Sequence, residues 1–295
     1  MGNPTKNKFR PIVLFLSITF ALSSIFYFLI IDAGTLSAGN GLYVMGIMWC
    51  PGIAGIITML LLKRNLKQLG WKWGKSKYQL QSYLIPLLYA LLAYAIIWTF
   101  GLGKLKIDGL QTQVADNFSF ENINAILAFV ILILFVGIVG IIPSALSALG
   151  EEIGWRGFLV PELYKSQGFT KTSLISGFIW GVWHLPILLF ADYNSGTPAW
   201  YAMTCFMLLV ISISFIYTWF RMKSGNLWTA VILHASHNLF IQSFFTPLTE
   251  DTGNTAYFMD EFGIVIPIIA IGFAIYYWSK RKELNPASSQ ADGAV

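Results

Sequence analysis

Eight stretches of this chain stay apolar long enough to cross a lipid bilayer, and nothing else in the sequence constrains its fold as tightly. An α-helix rises 1.5 Å per residue, so about twenty apolar residues span the roughly 30 Å of hydrocarbon. The stretches cover residues 12–31, 41–62, 83–101, 125–149, 173–190, 200–220, 227–245 and 262–279. Lipid offers the backbone no hydrogen-bond partners, so each must form a helix. The predicted fold class is all-α: a polytopic membrane bundle of about eight transmembrane helices, forming a single integral membrane domain over residues 1–295. Composition agrees, because 11% charged residues against 56% hydrophobic ones cannot cover a soluble surface, which needs about 25%. The first stretch ends at Asp32 with no A-x-A cleavage pattern, so it reads as a retained helix and not as a signal peptide.

Charge tests that count. With the N-terminus cytosolic, 17 of the 19 basic residues fall on cytosolic segments, as the positive-inside rule requires. They are Lys6, Lys8 and Arg10; Lys63, Arg64, Lys67, Lys72, Lys75 and Lys77; Arg156, Lys165 and Lys171; Arg221 and Lys223; and Lys280, Arg281 and Lys282. Only Lys104 and Lys106 lie outside, while Glu250, Asp251, Asp260 and Glu261 gather in the last outer loop. The net charge of +5 thus reflects orientation against an anionic leaflet and does not imply nucleic acid. The run at 63–77, with Trp71 and Trp73, reads as an interfacial loop. The expected location is the cell membrane, multi-pass, with both termini cytosolic and the bilayer as a partner. Cys50 and Cys205 lie inside spans and read as small packing residues. Residues 283–295 read as a disordered cytosolic tail, and no internal repeat of the transporter kind is visible.

Ionisable groups inside spans are costly and so point to function. They collect in three places: Gly150-Glu151-Glu152-Ile153-Gly154-Trp155-Arg156, Trp180-Gly181-Val182-Trp183-His184-Leu185-Pro186, and His234-Ala235-Ser236-His237-Asn238. Glu152 and Arg156 stand at i,i+4 with the acid first, the favourable order for an ion pair within a helix. Glu151 is turned about 100° away and meets a neighbouring helix instead. His234 and Asn238 share a face, whereas His237 points partly aside and reads as packing or supporting hydrogen bonding. Entry from the cytosolic side puts His184 about 16 Å deep and His234 about 10 Å deep. Glu151 sits nearer the cytosolic boundary, unless Pro143 tilts its helix.

A carboxylate in a partly dry cavity takes a proton from water, the more readily where burial raises its pKa. A histidine shares that task, and a His/Asn pair donates hydrogen bonds to an oxyanion. No G-x-S-x-G, no candidate thiolate and no phosphate loop offers another chemistry. The inventory fits amide hydrolysis without a cofactor. It also fits zinc, held by Glu151, His184 and His234, although no H-E-x-x-H motif is present. Each residue has a plainer reading as well: Glu151 as an interfacial acid, His184 as a structural histidine, His234 and Asn238 as interhelical hydrogen bonds.

The three motifs resemble those of the CPBP family, the intramembrane proteases that include type II CAAX prenyl proteases and bacteriocin-processing or self-immunity proteins. The family pattern is E-E-x-x-x-R, then F-x-x-x-H, then H-x-x-x-N/D, each on its own membrane helix. Here these are Glu151-Glu152-x-x-x-Arg156, Trp180-x-x-x-His184 and His234-x-x-x-Asn238, with tryptophan where phenylalanine is usual. The protease-like core is about 125–246. The resemblance implies that Glu151 activates water with help from His184, that His234 and Asn238 stabilise the oxyanion, and that Glu152, Arg156 and Trp180 support them. It implies an endopeptidase acting on a peptide or lipidated peptide, and the depths counted above place its cavity near the cytosolic half of the bilayer. A non-catalytic immunity or scaffold protein and a proton-coupled transporter are the alternative classes.

Overall fold

The computed structural model describes residues 9–118 and 123–284. Lys6, Lys8 and residues 285–295 of the expected tail lie outside the described residues, whereas Glu283 and Leu284, expected to be disordered, belong to a helical turn over Lys280–Leu284. The described chain is nearly all helix, and every predicted span coincides with helical structure. Helices α1 (Arg10–Ala33), α2 (Leu42–Leu61) and α3 (Ser76–Thr99) follow the first three apolar stretches. A short helix α4 (Ile107–Phe118) comes next. Helix α5 (Ala125–Phe135) runs through a π-helical turn into α6 (Ile141–Glu152), and a second π turn over Ile153–Leu159 leads into α7 (Val160–Phe190). Helix α8 (Ala199–Ser224) precedes α9 (Trp228–Asn238), which a third π turn extends to Phe245, and α10 (Val265–Ser279) closes the bundle.

Among the described residues, five helical elements are long and apolar enough to cross a membrane: Arg10–Ala33, Ala38–Leu61, Ser76–Thr99, Ala125–Phe190 and Ala199–Ser224. The fourth has 66 residues, too many for one traverse. Gly168 divides it, with φ 67° and ψ 179°, a left-handed φ that glycine adopts without strain. The predicted boundary at residue 149 is therefore wrong: the helix continues through the π turn to the reversal at Gly168. The continuation is not legible as a span because Arg156, Glu162 and Lys165 interrupt its hydropathy. Helix α10, at 15 residues, is shorter than the roughly 20 that span the hydrocarbon.

The helices pack through small residues and polar contacts, as membrane helices do. Gly150 and Gly154 of α6 and its π turn lie so close to α2 that a Cβ on Gly150 would stand 2.8 Å from the Met48 carbonyl oxygen. Phe28, Leu61, Phe100, Ile126 and Ile138 project outward, a band of apolar surface suited to lipid. One end of the bundle gathers the basic loops: Arg64 pairs with Glu162 at 2.9 Å, and Trp228 Nε1 donates to the Trp71 carbonyl at 2.9 Å. The other end is tied by Asp192, which accepts from Thr35 Oγ1 at 2.9 Å and Leu36 N at 2.8 Å. There also a two-residue antiparallel ladder pairs Lys104–Leu105 with Thr249–Glu250.

Candidate active site

The first motif sits where α6 widens into its π turn, and both glutamates are buried, Glu151 at 2% and Glu152 at 0% exposure. The i,i+4 spacing sets Arg156 Nη1 on Glu152 Oε1 at 2.8 Å. The same oxygen accepts from His234 Nδ1 at 2.9 Å, so Glu152 ties the first motif to the third. The Arg156 guanidinium lies over the rings of Tyr217 and Trp180, at 3.9 and 4.2 Å. A charge so deeply buried is tolerable only when paired and stacked in this way.

Glu151 faces α7. Its Oε2 accepts from Trp180 Nε1 at 2.7 Å and from Trp155 Nε1 at 3.2 Å. These bonds hold the carboxylate's orientation, while Glu152 takes Arg156 and His234. On α7, His184 Nδ1 lies 2.9 Å from the Trp180 carbonyl. A carbonyl only accepts, so Nδ1 carries a proton and Nε2 is the nitrogen whose lone pair serves the cavity when the ring is neutral.

Glu151, His184, His234 and Asn238 line one cavity of about 200 Å³. Depths counted along the sequence leave Glu151 nearer the boundary than the histidines. The reversal at Gly168 removes that mismatch, because Glu151 lies 17 residues before it and His184 lies 16 after it. Two antiparallel segments joined there bring the two residues level. The cavity also does not lie toward the basic end. Beneath the glutamates, Arg221 Nε donates to the Arg156 carbonyl at 2.7 Å and Nη2 to Leu69 O at 3.4 Å. Leu227 N donates to Gly70 O at 2.8 Å, and Leu69 and Leu227 are buried. The lining leads instead to Leu36, Tyr193 and Glu261, on loops at the opposite end. The expectation of a cavity in the cytosolic half depends on depths measured from helix ends that the structure moves.

His237 lines the same cavity without belonging to a motif. Its Nδ1 is hydrogen-bonded to the Tyr89 hydroxyl, and its Nε2 meets Glu261 Oε1 at 2.8 Å. Tyr193 donates to Glu261 Oε2 at 2.9 Å. Burial pushes the Glu261 carboxyl up, but the hydrogen bond and charge of His237, with Tyr193 and Gln242, outweigh it and hold the group below its ordinary range. In the sequence Glu261 reads only as an outer-loop charge, and no motif marks it.

Glu151, His184 and His234, the residues expected to hold zinc if a metal is present, line one cavity. Glu151 is engaged by two indole donors, and the Nδ1 atoms of His184 and His234 are turned to a carbonyl and to Glu152. Among the described residues no group of three or more His, Cys, Asp or Glu is arranged to hold a metal ion.

A membrane-embedded helical bundle with Glu151, Glu261, three histidines and Asn238 around one small cavity has the makings of an intramembrane hydrolase. Comparison with known proteins specifies the class. Residues 122–240, which hold all three motifs, match the model of the Rce1-like type II CAAX prenyl endopeptidases. A CAAX prenyl protease 2 of Methanococcus maripaludis is 26% identical over 247 residues, covering 79% of this chain and 84% of that protein. Both bear out the family resemblance carried by the motifs, and both support a membrane protease.

Proposed function

We propose that the protein is an intramembrane endopeptidase that hydrolyses a peptide bond with water activated by Glu151. One observation carries this reading: a glutamate held, among the described residues, by neutral indole donors lines the same cavity as His184, His234 and Asn238. Glu151 takes the water proton, and His184 Nε2 holds the water. The hydroxide adds to the scissile carbonyl. The resulting oxyanion is met by Asn238 Nδ2 and by the His234 ring, for which Glu152 supplies the countercharge. Glu151 then returns its proton to the leaving amine as the C–N bond breaks, so the step needs no further reactant. The related protein's name makes a prenylated peptide the first substrate to try, and other peptide precursors belong in the same assay.

The protein purified in detergent or reconstituted in liposomes should cleave such a peptide. Glu151→Gln and His184→Ala should abolish cleavage while elution and thermal unfolding stay near those of the parent. Turnover by Glu151→Gln at the parent rate would exclude the base. Activity that persists through prolonged chelation is expected, and loss restored specifically by zinc would require a metal mechanism.

A further inference from the structure

Arg221, near the end of α8, is buried, and it spends its donors on backbone carbonyls. Nε donates to that of Arg156 at 2.7 Å, and Nη2 to that of Leu69 at 3.4 Å. The Arg156 carbonyl has a particular need. Along the helix two backbone donors are in register with it: the N–H of residue 160 when the turn is α-helical, and that of residue 161 when it is π-helical. In the π turn over Ile153–Leu159 the Val160 N–H goes to the Trp155 carbonyl. Residue 161 is a proline, which has no N–H. A buried carbonyl without a donor costs about as much as a lost hydrogen bond, and Arg221 Nε fills this one. An α-helical turn would move the loss one residue on, because Pro161 would then face the Gly157 carbonyl. Pro161 thus leaves one carbonyl open in either register, and Arg221 meets the one that belongs to the π register.

We propose that Arg221 is a positioning residue for the peptidase reaction: it holds the turn after the glutamates in its π register by taking the carbonyl that Pro161 leaves without a donor. The register matters to the site because Glu151 and Glu152 directly precede the turn, while Arg64 anchors Glu162 just beyond it at 2.9 Å. A change of one residue turns one side of such a junction by about 100° against the other. The glutamates would then swing away from Trp180 and His234, to which they are bonded at 2.7 and 2.9 Å. The turn itself carries Trp155 and Arg156, which reach back to the same two carboxylates. Arg221 acts on the reacting groups only through this backbone. The inference rests on the proposed peptidase reading for its kinetic consequence, but the register can be tested without turnover.

The test is a double-mutant cycle on the full chain in detergent, comparing the parent, Arg221→Met, Pro161→Ala and the double variant. Arg221→Met opens the Arg156 carbonyl and should lower the unfolding temperature. Pro161→Ala supplies the missing N–H at the π-register position, so it should change the parent little and relieve much of the loss in the double variant. Equal losses from Arg221→Met with and without Pro161→Ala would overturn the proposal. Where Arg221→Met does not fold, Arg221→Lys takes its place, since it keeps the charge but not the planar fork. Its loss should be smaller and again relieved by Pro161→Ala, and a loss indifferent to residue 161 would overturn the proposal in the same way. Turnover of a cleaved peptide reads the positioning role. Arg221→Met should lower kcat about tenfold or more with KM within about twofold of the parent's, and the double variant should regain part of kcat. An unchanged kcat with a raised KM would remove Arg221 as a positioning residue. A parent that cleaves no peptide would strike the peptidase reading instead, and the unfolding cycle would still decide whether Arg221 sets the register.

Discussion

Trp180 Nε1 donates to Glu151 Oε2 at 2.7 Å, a bond that joins the second motif to the first. The phenylalanine usual at this point in the family pattern could fill the space but could not donate. Trp180 is also edge-on to both His184 and His234, with ring centroids at 5.9 and 5.5 Å, and lies against Arg156. One side chain thus touches groups from each of the three motifs at the cavity.

Trp180→Phe separates these two roles. Packing against the histidines and Arg156 is largely kept, while the hydrogen bond to the carboxylate is lost. The bond orients the base, so kcat should fall about tenfold or more with KM little changed, and since a hydrogen bond to a charged group contributes about 1.5–3 kcal/mol, the unfolding temperature should fall as well. Trp155 still holds the carboxylate, which is why activity should not vanish. An unchanged kcat would show that the Trp155 bond alone orients Glu151.

Adjacent glutamates should fail in opposite ways. Glu152 accepts from both Arg156 and His234, so Glu152→Gln leaves a buried guanidinium without its countercharge. Breaking such a pair costs about 3–5 kcal/mol, and the variant should unfold at a markedly lower temperature as well as lose activity. Among the described residues Glu151 has neutral indole donors alone, and Glu151→Gln should lose activity with its unfolding temperature nearly intact. Equal destabilisation by the two substitutions would contradict this division of roles.

Much of this architecture is legible from the order of residues alone, because membrane helices announce themselves by length and hydropathy. The Glu152–Arg156 pair is legible too, since i,i+4 spacing fixes it within one helix. The π turns are not, because a shift from i→i+4 to i→i+5 bonding leaves no residue signature. Helix α4 escapes notice because Asp108 and its polar neighbours dilute the apolar signal. Glu261 escapes for another reason: its direction depends on how the loop before α10 folds inward over His237. Trp180 reads as one of many aromatic residues until the position of Glu151 gives its N–H a partner.

Acidity should affect stability through Asp260. Burial, and then the nearby Glu261 charge, push this carboxyl up to about 6. An acid raised in the folded state stabilises that state while it is protonated. The contribution is complete below the ordinary carboxylate range and is lost as pH rises toward 6. Glu261 is held low, so its contribution has the opposite sign and is lost on acidification. Asp260→Asn keeps one acceptor oxygen for the Glu261 amide and turns its NH2 toward the Ser195 hydroxyl oxygen, which can accept. Its unfolding temperature in detergent should therefore gain on the parent's as pH rises from about 4 to 6. A difference that stays constant across that interval would remove Asp260 as the cause.

The last prediction concerns how the base is carried. Gly150 directly precedes Glu151, and a Cβ there would stand 2.8 Å from both Met48 O and Trp49 Cα. These are backbone atoms of α2, so they cannot rotate aside, and Gly150→Ala must push the two helices apart. Overpacking of this kind costs about 1–3 kcal/mol, and the displaced segment carries both glutamates. Gly150→Ala should thus lower the unfolding temperature and kcat together. Gly272, on α10, offers the contrast, because a Cβ there meets nothing within 4 Å. Gly272→Ala should be neutral or stabilising by up to about 1 kcal/mol, since alanine loses less backbone freedom in a helix. Parallel thermal unfolding and turnover measurements on the two variants decide the matter. If both behave alike, close approach of α2 is not what positions Glu151.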